Sequence, residues 1–160
     1  MNWKARAAVV FVGFFAFAVC SVRFAYAASP TDACSLLTSA QVSTVLGISV
    51  GPGKPLSPTN TKLCSWGAPG LVGKAKKGVM ITLQDPRAFV YAKMPAGNGI
   101  TKVPASGIGD DAVYGTTPGY PTVLTVKKGN VVFVVHVSGF PDDQIKAKEK
   151  TLAKEILAKL

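Results

Sequence analysis

The first 27 residues differ in composition from everything after them, and they decide how much chain is left to fold. Met1 to Arg6 carry Lys4 and Arg6 and no acid. Ala7 to Cys20 then run for fourteen residues without a charge or a strong hydrogen-bonding side chain, and Ala25-Tyr26-Ala27 sets small residues either side of a tyrosine. Basic, apolar, small-x-small is the order of a secretory signal peptide cut after Ala27. An uncut anchor is the competing reading, but fourteen helical residues rise only about 21 Å against a hydrocarbon core of about 30 Å. Lengthening the run brings in Arg23. Lipidation at Cys20 is disfavoured because Val19 and Phe17 stand where a lipobox wants a small residue and a leucine.

The sequence therefore divides into a signal peptide, 1–27, and one secreted domain, 28–160, with no membrane span left after cleavage. Of the 18 basic residues, Lys4, Arg6 and Arg23 leave with the leader, so 15 remain against 8 acids, a net charge of +7. Cys20 leaves too. Cys34 and Cys64 are then an even set in a chain bound for an oxidising compartment, periplasmic or external, where disulfides persist. Closing a loop of about 30 residues would stabilise the fold by roughly 3–4 kcal/mol on a chain-entropy argument. Two buried free thiols are the alternative. Two cysteines and the distant, single His136 cannot fill a zinc site.

Along the domain, Thr38-Ser39-Ala40-Gln41 predicts a capping box opening a helix over 39–46, closed by Gly47 and packed through Val42, Val45 and Leu46. Residues 51–62 are rich in glycine and proline and read as loop. Strands are predicted at 63–68, with Cys64 and Trp66 on one face, and at 78–84, where Val79, Ile81 and Leu83 alternate with Met80, Thr82 and Gln84. Asp85-Pro86 predicts the start of a short helix ending near Met94. Residues 96–109 read as a long loop and 111–114 as a short strand. A hairpin follows, 122–128 and 131–138, turning at Gly129-Asn130. The last helix, 141–160, carries Asp142 and Asp143 in its first turn and a buried stripe of Leu152, Ile156 and Leu160 with Ala153 and Leu157. The predicted order is α-β-β-α-β-β-β-α, and the short connections favour a single antiparallel sheet packed by helices, an α+β fold.

Several segments together carry a resemblance: Cys34-Ser35-Leu36-Leu37-Thr38, then Leu46-Gly47, Cys64-Ser65-Trp66, and Gly107-Ile108-Gly109-Asp110-Asp111-Ala112 ahead of a basic hairpin and a terminal helix. In this order, over about residues 32–160, the chain resembles a family of small exported bacterial proteins, many of them lipoproteins, whose domain has no assigned function. The resemblance implies an extracytoplasmic α+β domain with a Cys34–Cys64 bridge and brings no catalytic residues with it.

Nothing else in the sequence assembles a reaction centre. His136 is flanked by valines on an apolar strand, and Ser106 lies in Pro-Ala-Ser-Gly rather than in a nucleophile elbow. Gly107-Ile108-Gly109-Asp110-Asp111-Ala112 matches a dinucleotide fingerprint in spelling but lacks the strand before and the helix after, so its glycines are expected to serve a turn. No catalytic, metal or cofactor-binding residue is assigned, and no cofactor is expected. The basic residues are the remaining signal: Lys74, Lys76 and Lys77; Lys127 and Lys128 in the hairpin; and Lys146, Lys150 and Lys154 at i,i+4 on the last helix, with Glu155 placed to pair with Lys159. Such clusters suit an anionic envelope component or an envelope protein partner, whereas nucleic acid is excluded by compartment and by the lack of interleaved aromatics. The expectation is a non-enzymatic binding or interaction module. A small-ligand carrier, or a hydrolase using His136 with Ser106 or Asp110, is the alternative.

Overall fold

The computed structural model describes residues 29–67 and 76–160. The leader, its cleavage site and Lys74 lie outside these residues. Seven strands form one antiparallel sheet: β1 (Lys54–Ser57), β2 (Asn60–Gly67), β3 (Gly78–Gln84), β4 (Thr101–Pro104), β5 (Asp111–Thr116), β6 (Val123–Lys128) and β7 (Val131–Ser138). Three helices accompany it, α1 (Ser39–Leu46), α2 (Ala88–Lys93) and α3 (Asp142–Leu157), with a 3₁₀ turn at Ala33–Ser35. The fold class is α+β, as the sequence predicts. Across the sheet the strands run β1-β2-β3-β7-β6-β5-β4, so the last strand is the central one.

Two segments read as loop are strands instead. β1 lies within 51–62 and β4 within 96–109. Both are sheet edges, each paired on one side only, and this is where Pro55 and Pro104 are tolerated, since an edge strand spares one row of amide donors. The three helices lie within about three residues of their predicted limits, but Asp85 does not cap α2 directly, Arg87 being the N-cap. The Asp85 carboxylate accepts the Arg87 amide at 2.9 Å and pairs with the Arg87 guanidinium, building the turn ahead of α2.

Side-chain alternation sorts the sheet into two faces. The inner face holds Cys64, Trp66, Val79, Ile81, Phe133, Val135, Val137, Leu124, Val126 and Ala112, all buried. α1 and α3 cover it. The capping box is present in both directions, with Thr38 Oγ1 accepting the Gln41 amide and Gln41 Oε1 accepting the Thr38 amide. Gly47, at φ +71°, closes α1 in the left-handed region that glycine adopts without strain. Cys34 and Cys64 are disulfide-bonded, with Cα atoms 5.1 Å apart, and this ties the 3₁₀ turn to β2 beside Trp66.

The outer face is covered differently. α2 packs there through Phe89 alone, against Val113 and Val132, with Ala92 at the margin. Leu63, Met80, Thr82, Val134 and His136 of β2, β3 and β7 remain half-buried on that face.

Candidate functional site

The buried stripe of α3 is Ile145, Glu149, Leu152, Ala153 and Ile156. Leu157 and Leu160 are half-buried rather than central. Glu149 is the unexpected member: it has no exposed surface. Its Oε1 accepts the Val137 amide at 3.3 Å. That amide lies just beyond the last paired residue of β6, where the ladder between β6 and β7 has ended. Oε2 has no partner. Burial pushes the Glu149 carboxyl up to about 9, against a partial pull downward from the Val137 amide and Lys146. Near neutral pH this residue is an uncharged acid. Beside it, burial also raises the Tyr114 hydroxyl, which donates to the Lys146 carbonyl.

This arrangement sets the charge of α3. Lys146, Lys150 and Lys154 are exposed, and no carboxylate lies within ion-pair distance of any of them among the described residues. Lys146 instead rests its ammonium over the Tyr114 ring, 5.9 Å from the centroid. Lys148, on the opposite flank, is absorbed into structure: it donates to the Val45 carbonyl at 2.9 Å and covers the Phe140 ring. Glu155 pairs with the Gln41 amide at 2.7 Å rather than with Lys159, so it links α3 to α1.

The two hairpin lysines do not join this row. Lys128 is ion-paired with Asp110 at 2.9 Å. Lys127 belongs to the outer face, opposite Val132 and Asp111 in the pairing registers. It lines an open cleft of about 840 Å³ between α2 and the β6–β7 turn, with Phe89, Val90, Lys93, Met94 and Pro95 on the α2 side. Asp110 and Asp111 of the glycine motif also line this cleft. Gly109, at φ +62°, sits so close to β6 that a Cβ would meet the Lys127 carbonyl oxygen at 2.5 Å. The approach lets the Asp110 amide donate to that oxygen, while the Asp110 carboxylate accepts the Gly129 amide at 2.6 Å. The Gly129 amide first, then Lys128, holds the Asp110 carboxyl below the usual range. Asp111 pairs with Lys93 of α2. The motif is thus a structural clasp, as its turn reading predicts.

His136 is placed away from every candidate partner. It faces Met80 across β7 and β3 at the end of the sheet remote from the hairpin turn. Asp110 and Ser106 sit at the turn end, and Val131 to His136 alone spans roughly 17 Å of strand. Burial lowers the His136 imidazole below its ordinary value, and its Nε2 is buried without a hydrogen-bond partner. A neutral imidazole this far from Ser106 and Asp110 has no geometry for a triad with either. Among the described residues no cluster of three or more His, Cys, Asp or Glu could hold a metal ion, and no helix is long and apolar enough to cross a membrane. Comparison with known protein families, with curated proteins and with solved structures finds no match to this chain.

Proposed function

We propose that the chain is an exported envelope protein that acts by binding rather than by catalysis, and that the Lys146–Lys150–Lys154 face of α3 holds it to anionic envelope surfaces. One observation carries this reading: Lys146, Lys150 and Lys154 stand exposed on one side of α3 with no carboxylate within ion-pair distance among the described residues, while Glu149 of the same helix is fully buried. Exposed charges farther apart than about 8 Å are largely screened at physiological salt, so only a clustered row retains attraction there. The disulfide supports an oxidising compartment, and the leader-like first 27 residues support export.

The test replaces Lys146, Lys150 and Lys154 together with Gln. Folding should be nearly unchanged, because the buried stripe is untouched. Cosedimentation with phosphatidylglycerol-rich vesicles should fall, and the difference from wild type should shrink as salt is raised. Wild-type protein that fails to cosediment even at low salt overturns the proposal.

A further inference from the structure

The cleft between α2 and the β6–β7 turn carries a second, independent reading. Among the described residues, three of the large hydrophobic side chains left most exposed fall within one turn of chain: Val90 at 62%, Tyr91 at 72% and Met94 at 51%. Val90 lies on α2 and Met94 is the C-cap four residues on, and both line the cleft. With Pro95 and the rim of Phe89 they form one apolar wall of the cleft. The opposite wall is polar and already organised. Each aspartate there is neutralised by its own lysine, Asp110 by Lys128 and Asp111 by Lys93. Lys127 is the cation left over: it lines the cleft and has no carboxylate within ion-pair distance among the described residues. Asn130 lines the same cleft.

We propose that this cleft binds a small amphipathic carboxylate, with its anionic head at Lys127 and Asn130 and its alkyl body along Val90, Met94 and Pro95. The sign follows from the pairing. A cation would have to displace a lysine from an aspartate, whereas an anion meets Lys127 without breaking either pair. The wall sets a scale: the four residues from Val90 to Met94 rise about 6 Å, roughly half of an extended ten-carbon tail, with Phe89 and Pro95 beside them for the remainder. A volume of about 840 Å³ lies within the range of small-molecule sites. Asp110 is held from three sides, its amide donating to the Lys127 carbonyl and its carboxylate accepting from Lys128 and the Gly129 amide. The backbone that carries Lys127 is therefore tied down before the ligand arrives.

Titration with decanoate, kept below the concentration at which it forms micelles, tests this by backbone and methyl NMR. Saturable shifts are expected at Val90, Met94, Lys127 and Asn130. Lys127→Gln should weaken decanoate about fivefold, the scale of one partly solvated ion pair, and 1-decanol should bind weakly to both proteins. Met94→Ser, at an exposed position, should weaken decanoate by a similar factor without loss of fold. Equal affinity for decanoate and decanol, an unchanged Lys127→Gln variant, or shifts centred elsewhere each overturn the proposal. The Lys146/Lys150/Lys154 variant should bind decanoate as wild type does, and Lys127→Gln should still cosediment with vesicles, so either reading can fail alone.

Discussion

The two faces of the sheet are held in opposite ways. On the inner face two helices, a disulfide and a continuous set of buried aliphatic and aromatic side chains close over β2, β3, β7 and β6. On the outer face a single short helix touches down through one phenylalanine and leaves its other apolar side chains in solvent. Six residues are too few for α2 to be stable alone, so packing at Phe89 and the Lys93–Asp111 pair must hold it. The difference separates two jobs. The inner face supplies the stability, and the outer face has apolar and charged surface left over for a ligand.

The largest effect that should follow from this contrast is a cavity on the inner face. Leu152→Ala removes a side chain with no exposed surface beneath α3 and should cost about 2–5 kcal/mol in urea denaturation with the disulfide intact. A loss below about 1 kcal/mol would mean that α3 is not sealed against the sheet.

A second expectation concerns the acid inside that seal. Folding raises the Glu149 pKa from 4.5 to about 9. Between these values the folded protein keeps a proton that the unfolded chain releases. Its contribution is therefore complete below pH 4.5 and is lost as pH rises, at about 1.4 kcal/mol per unit, or about 3 kcal/mol from pH 5 to 7. The groups facing it are Lys146 and the Tyr114 hydroxyl, whose pKa burial raises from its ordinary value. Below about pH 6.5 the lowered His136 pKa adds an opposite rise, so the clean window lies above about pH 7. Glu149→Gln should remove the fall there, and a wild-type stability level from about pH 7 to 8.5 would show that the carboxylate is ionised inside the fold.

The smallest effect belongs to the outer face. Tyr91→Ser, at a position 72% exposed, should change stability by no more than about 0.5 kcal/mol. A larger loss in thermal unfolding would show that α2 is braced by more than Phe89, and the contrast between the faces would narrow.

The inner face was also the more legible in the sequence. Its strands alternate cleanly, and the Thr38–Gln41 box, Gly47 and Gly129 are local signals whose chemistry does not depend on the rest of the chain. Edge strands β1 and β4 were hidden because Pro55, Pro104 and their neighbouring glycines signal turns. Only the presence of β2 and β5 beside them makes them strands. Glu149 was hidden by its charge, although it stands four residues after Ile145 and three before Leu152, inside the apolar stripe. That spacing was the available signal. The cleft had none, since it brings Val90 and Met94 to Lys127 and Asn130 from distant parts of the chain. The lysines of the hairpin and of α3 appeared as one basic set, and only the strand register separates Lys127 from the others.

The place of β7 has a consequence for how the molecule comes together in time. Strands β1–β3 form one antiparallel set and β4–β6 another, and they meet only through β7, which is the last strand in the chain. α1, the first helix, finds its covering partner in α3, the last, through contacts such as Gln41 to Glu155 across 114 residues. A chain emerging from its N-terminus can therefore complete neither the sheet nor the inner layer until its final thirty or so residues are free. Such a chain pays most of its loop-closure entropy before its non-local contacts form, which slows folding. Until then both halves expose apolar strands. The sheet and its inner layer thus close in one late step, when β7 and α3 arrive.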